Sequence, residues 1–216
     1  MTKIKGIIFD LDGVITDTAE YHYLGWQKLA DDEGLEFDRK FNEKFRGVSR
    51  MKCLDMLLEE NNRKVTAKER EELAERKNNY YQKYLENITK DNLLEGIEKI
   101  LNTIKDNGYK MAIASASKNT EIVVKKLNIR DMFDTISDGY SVKNTKPAPD
   151  LFLHTAEKLN LKPEECVVFE DAKAGIDAAL AANMTAVGIG PEERVGHAHF
   201  RFDSVKDIDL EKILSE

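Results

Sequence analysis

Five short apolar runs, at residues 4–10 (IKGIIFD), 109–115 (YKMAIAS), 133–137 (FDTIS), 166–171 (CVVFED) and 185–190 (TAVGIG), are separated by stretches long enough to form helices. Runs without an alternating polar face belong to strands covered on both sides, and their alternation with helical patterns is the rhythm of a parallel sheet flanked by helices. One region breaks that rhythm. From about residue 16 to residue 90 no strand is read, and the pattern gives successive helices near 17–33, 39–45, 50–61 and 66–85. A helical block between the first two strands reads as an insertion. The expected division is a core of residues 1–15 and 91–216 and a helical domain of residues 16–90. After the last run the chain is expected to pass through PEERVGHAHF to a short helix at 205–214.

The 216 residues are enough to bury a full core, and 41% hydrophobic with 34% charged residues is ordinary for a water-soluble globular chain. A net charge of -7 gives no electrostatic reason to expect nucleic acid or an anionic membrane as partner. An anionic substrate must then be held by local cations. Cys53 and Cys166 lie in unrelated contexts and read as buried free thiols of a reducing compartment. No segment approaches the roughly 18 apolar residues of a membrane span, and the N-terminus lacks the order of a signal peptide, so the cytoplasm is the expected location.

The first run ends in acids: GIIFDLDGVITD carries Asp10, Asp12 and Asp17. Asp10 and Asp12, two apart on an extended segment, project to the same side and repel unless a cation neutralises one or a proton stays on the other. That asymmetry suits a nucleophile beside a cation and a neighbour that exchanges a proton. A plain Asp12-Gly13 turn would use the same residues. Glu170 and Asp171 end a second run. If the two strand ends are neighbours, Asp10, Glu170 and Asp171 offer hard oxygen ligands suited to Mg²⁺, while Asp171 would equally cap the following helix. In ASASKN, Ser115, Ser117 and Asn119 with Lys118 lie where a strand gives way to a helix, and Lys146 precedes two prolines in TKPAPD. Together with the acids these groups describe a phosphoryl-transfer site. On helical wheels, Thr18, His22, Gly25, Trp26 and Leu29 share a face, as do Leu73, Lys77, Tyr80, Tyr81 and Tyr84. Alone, His22 and Lys77 read as a bonded core histidine and a snorkelling lysine.

FDLDGVITDT, a second strand ending in Ser115, TKPAPD and FEDAKAGIDAA, in that order, resemble the four motifs of the haloacid dehalogenase superfamily. The resemblance covers the whole chain. It implies an α/β fold, a Rossmann-like core with a parallel sheet plus an inserted four-helix cap. Within the superfamily DGVITDTAEYH, GVSR, RKN and SASKN are similar to its sugar phosphomutases, implying interconversion of β-D-glucose 1-phosphate and glucose 6-phosphate through β-glucose 1,6-bisphosphate. The resemblance implies Asp10 as the phosphorylated nucleophile and Asp12 as general acid/base. It also implies Mg²⁺ on Asp10, the Asp12 carbonyl, Asp171 and Glu170. Ser115 and Lys146 would hold the transferring phosphoryl group, and Arg50, Ser117, Lys118 and Asn119 the distal phosphate, with Ala116 in the same set. Thr18, His22, Trp26, Gly47, Val48, Ser49 and Lys77 would line the sugar side, and the resemblance suggests a monomer. Cys53 and Ala172 stand where serine is usual. A sugar phosphatase of the same fold and a non-catalytic sugar-phosphate binder remain as alternatives.

Overall fold

The computed structural model describes residues 3–215. Among them six strands form one wholly parallel sheet in the order β3-β2-β1-β4-β5-β6. The strands are β1 Gly6–Phe9, β2 Lys110–Ala114, β3 Thr135–Ser137, β4 Cys166–Glu170, β5 Thr185–Ile189 and β6 Phe200–Phe202. The first five answer the five apolar runs. β6 lies in the PEERVGHAHF connection and was not expected; its three residues are half-buried at the sheet edge, which leaves little hydrophobic signal.

Alternate residues of the central strands feed opposite faces, as the pleat requires. Ile7, Phe9, Ile113 and Phe169 join one apolar layer, whereas Ile8, Ala112, Ala114 and Val168 join the other. Both faces are covered, and the central strands β1 and β4 are buried along their whole length.

Between β1 and β2 the helices are α1 Ala19–Glu33, α2 Arg39–Asn42, α3 Arg50–Glu60, α4 Ala67–Leu85 and α5 Ile97–Asp106. Later come α6 Thr120–Lys126, α7 Asp150–Lys158, α8 Lys173–Ala181, α9 Glu192–Val195 and α10 Leu210–Leu214. The expected helix at 205–214 is split, a short turn at Val205–Asp207 being followed by α10, because Asp209 caps α10 through the Lys212 N–H at 3.0 Å. Asp17 accepts the Ala19 N–H at 3.0 Å one residue ahead of the N-cap position of α1, which is Thr18. A reciprocal Thr66–Glu69 capping box opens α4.

α1, α3 and α4 bury a cluster of their own, centred on Trp26, Leu29, Phe45, Leu54, Leu57 and Leu73. The far end of α4 belongs instead to the sheet: Tyr81 and Leu85 pack with Ile7 and Phe9. The chain's exit and return are side by side. Leu94 N–H donates to the Ile15 carbonyl at 3.0 Å, and the Thr16 hydroxyl to the Asn92 carbonyl at 2.7 Å. Both thiols are free and buried.

Candidate active site

β1 and β4 are neighbours in register, Phe9 opposite Phe169, so Asp10 and Glu170 leave the sheet together. Asp10, Glu170 and Asp171 are buried, and an oxygen of each lies within 4.8 Å of the others. Lys146 enters this cluster from the loop after β3. Its ammonium donates to Asp10 Oδ1 at 2.6 Å, Glu170 Oε1 at 2.5 Å and the Ala114 carbonyl at 3.0 Å. Although burial opposes it, Asp10 and Glu170 hold this ammonium above its usual pKa.

One lysine does not balance the acids. Burial, reinforced by the neighbouring acids, raises the pKa of Glu170 and of Asp171 against the opposing pull of Lys146 on one and of Arg46 and Arg194 on the other. Three buried oxygen donors with surplus negative charge fit a divalent cation of the Mg²⁺ type. Glu170 already has both oxygens engaged, Oε1 by Lys146 and Oε2 by the Ala172 N–H at 2.9 Å, and so does Asp10, Oδ1 by Lys146 and Oδ2 by the Asp12 N–H, whereas Asp171 is engaged at Oδ2 alone among the described residues, by Arg46 and Arg194. Asp171 does not cap α8. Gly13 makes room for this carboxylate: its φ is +78°, and a Cβ there would lie 2.4 Å from Asp171 Oδ2.

Asp12 sits differently. Its backbone N–H donates to Asp10 Oδ2 at 3.1 Å, so the two carboxyls share the turn. The Thr18 hydroxyl donates to Asp12 Oδ1 and receives the Tyr81 hydroxyl at 3.2 Å. Burial, reinforced by Asp10, pushes Asp12 up to about 7, a value at which a carboxyl can give and take protons near neutrality.

His22 Nε2 lies 3.8 Å from Asp12 Oδ2, while His22 Nδ1 is 2.8 Å from Lys77 Nζ. Burial, with the cations Lys77 and Arg50, pushes the imidazole well below its usual value, so it is neutral. Nδ1 facing an ammonium must accept, which assigns the ring proton to Nε2 on the Asp12 side. Lys77 is buried between the rings of Trp26 and Tyr81, 4.8 and 4.9 Å from their centroids, and burial lowers its pKa to about 7.

A cavity of about 350 Å³ lies between the helical block and the strand ends. Asp10, Asp12, His22, Trp26, Gly47, Val48, Ser49, Arg50, Lys77, Ser115, Ala116, Ser117, Lys118, Asn119 and Asp171 all line it. Thr18 and Lys146 stand behind its wall, bonded to Asp12 and Asp10, and Glu170 stands behind it too, bonded to Lys146. Ser115 Oγ accepts the Ser117 N–H at 3.1 Å and Ser117 Oγ the Asn119 N–H at 3.2 Å, which folds SASKN into consecutive tight turns. Asn119 is tied to α4 through Asn78 at 2.8 Å and Gln82 at 2.9 Å. Opposite, Arg50 Nε is buried without a hydrogen-bond partner. Gly47 (φ +70°) comes down on Ala172, where a Cβ would approach the alanine Cβ to 2.9 Å.

Some lining residues carried no sequence signal. Arg46 precedes the GVSR motif and donates to Asp171 Oδ2 at 3.0 Å. Lys143 also lines the cavity. Cys53, singled out in the sequence as standing where serine is usual, lines it too, its thiol turned toward the Phe45 and Val48 carbonyls at 3.7 and 3.6 Å.

The model of the haloacid dehalogenase-like hydrolases matches residues 4–183. A β-phosphoglucomutase of Bacillus subtilis (strain 168) is 40% identical over 215 residues, 99% of this chain and 95% of that protein. A phosphorylated carbohydrates phosphatase of Thermotoga maritima is 28% identical over 98% of this chain and 97% of that protein. The crystal structure of a β-phosphoglucomutase from Clostridium difficile superposes with a TM-score of 0.95 at 46% identity, covering 98% of this chain and 96% of the other. No helix among the described residues is long and apolar enough to cross a membrane. With its sheet order, its buried acids at the strand ends and these matches, the chain belongs to the haloacid dehalogenase-like hydrolase family.

Proposed function

We propose that the chain interconverts β-D-glucose 1-phosphate and D-glucose 6-phosphate by way of a phospho-Asp10 enzyme and β-glucose 1,6-bisphosphate. The observation that carries this reading is one cavity served by two sets of cations, Lys146 behind its wall beside Asp10, and Arg50 with Lys118 in its lining. A bisphosphate that must present each phosphoryl group in turn needs two such ends. The relatives named β-phosphoglucomutase support the same assignment.

Asp10, Glu170, Asp171 and the Asp12 carbonyl would hold Mg²⁺, which when bound supplies positive charge to the phosphoryl oxygens. Lys146 and the Ser115–Ala116 segment hold the same group from the other side. A phosphoryl group leaves Asp10 for the sugar 6-hydroxyl as Asp12 accepts that hydroxyl's proton. The bisphosphate turns over, Asp10 attacks the phosphorus at C1, and the departing C1 oxygen takes the proton back from Asp12. The sugar leaves as glucose 6-phosphate and the phospho-aspartate is restored.

Residues 16–90 act as the cap and residues 1–15 with 91–216 as the core. Their contact excludes water, which would otherwise compete with the sugar hydroxyl. The separate apolar cluster around Trp26 and Leu54 and the paired crossings at Ile15 and Leu94 support that division. The test is to incubate the protein with β-glucose 1,6-bisphosphate labelled in both phosphoryl groups and isolate the chain. Label on an acid-stable, base-labile acyl phosphate that Asp10→Asn abolishes supports the proposal; label elsewhere refutes it.

A further inference from the structure

We propose that Arg46 is a latch, carried by the helical cap, whose hold on Asp171 competes with a divalent cation for that carboxylate. The inference rests on the cation site read above, and it concerns what closes the cap when that site lacks its ion.

Four charges alternate across the seam between the helical block and the core. Arg46 Nη1 lies 3.0 Å from Asp171 Oδ2, and Arg46 Nε donates to Glu43 at 3.1 Å. From α9, Arg194 Nε donates to the Asp171 carbonyl at 2.7 Å. Its two Nη atoms lie 3.9 Å from Asp171 Oδ2 and 4.0 Å from Glu43. Glu43 and Arg46 belong to the helical block; Asp171 and Arg194 belong to the core. The Asp171 side chain is only 7% exposed and that of Arg46 27%, so the pair is screened less than a surface ion pair.

The counter-charges of the three acids differ in origin. Lys146 serves Asp10 and Glu170 from within the core, wherever the helical block stands. Asp171 draws its nearest counter-charge from the block itself. The Arg46–Asp171 pair also forms a wall between the main cavity and a second one of about 320 Å³, lined on its far side by Asp17, Asp203 and Lys206. Asp171 itself lines both spaces.

A divalent ion on Asp171 and a guanidinium on the same carboxylate repel at this distance. The coupling is reciprocal: an ion that weakens the Arg46 contact must itself be weakened by it. The ion-free protein is therefore held shut, and loading the ion loosens the cap.

The experiment titrates the full-length chain with Mg²⁺ by calorimetry and records small-angle X-ray scattering with and without the ion. Arg46→Met is expected to bind Mg²⁺ about tenfold more tightly than the parent chain, and Arg46→Lys to stay near the parent. Asp171→Asn is expected to lose most of the binding. The parent's radius of gyration rises when Mg²⁺ is added, whereas Arg46→Met starts at the larger value and does not respond. Unchanged or weaker binding in Arg46→Met overturns the latch while leaving the ion site standing. Absence of Mg²⁺ binding to the parent chain overturns both.

Discussion

Lys77 Nζ lies 2.8 Å from Nδ1 of His22, and that contact joins the helical block to the acid/base candidate Asp12, 3.8 Å from the other side of the same ring. The lysine is buried and its charge is disfavoured there, so its stabilising value is small. Lys77→Met keeps the apolar stem between Trp26 and Tyr81 and removes the ammonium. The expected outcome is a melting temperature unchanged or raised, with kcat for phosphoryl transfer reduced about tenfold or more. Equal kcat in the two proteins contradicts the coupling of Lys77 to Asp12.

Stability should fall with rising pH in the ion-free protein. Asp12 keeps its proton in the fold to about 7, and burial raises Asp171 and Glu170 as well, whereas in the unfolded chain these groups release their protons near 4. The folded state binds more protons between those values, so the free energy of unfolding declines across that interval. His22, held well below its usual value, opposes part of this below about pH 6.5, and Lys77, lowered to about 7, opposes it only above pH 7. Thermal melts at pH 5, 6 and 7 are expected to show a decline of about 2–4 °C or more per unit, flattened by Mg²⁺. A rising profile without the ion contradicts the reading.

Asp10 and Asp12 should fail differently. Asp10→Asn removes the nucleophile and is expected to abolish both mutase and phosphatase turnover. Asp12→Asn retains the turn and loses the proton, lowering turnover by roughly 10²–10⁴-fold, least for a substrate whose leaving group needs no proton. An aryl phosphate with an acidic phenol measures that difference. Equal losses on both substrates would remove Asp12 from the proton step.

Arg50 carries a buried Nε with no partner among the described residues, as expected of a group waiting for an anion. Arg50→Ala should therefore reduce mutase kcat/KM by about 10²-fold or more while reducing hydrolysis of a small aryl phosphate less than tenfold. Similar losses in both assays would count against a second phosphate position.

The parts of the fold written in strong local patterns were legible. Five strands announced themselves as unbroken apolar runs, and the helices of the inserted block by their periodicity. β6 was not, because Phe200-Arg201-Phe202 is an edge segment whose pairing depends on β5 already being in place. The site followed the same rule. Asp10 and Glu170 could be joined on paper because strand ends of a parallel sheet meet, and their acids are unusual enough to notice. Arg46 could not, since one arginine in a charged segment looks like any other until the block folds onto Asp171. The sequence also could not tell that Asp171 leaves α8 uncapped, or that both Glu170 oxygens are engaged.

The most direct test of the central claim supplies the purified protein with β-glucose 1-phosphate, Mg²⁺ and a trace of β-glucose 1,6-bisphosphate, and follows glucose 6-phosphate and free phosphate together. A phosphoryl group kept between Asp10 and the sugar predicts glucose 6-phosphate as the dominant product, with phosphate release far slower. Mainly free phosphate would contradict the mutase and favour a sugar phosphatase, and no turnover of either kind would favour a sugar-phosphate binder.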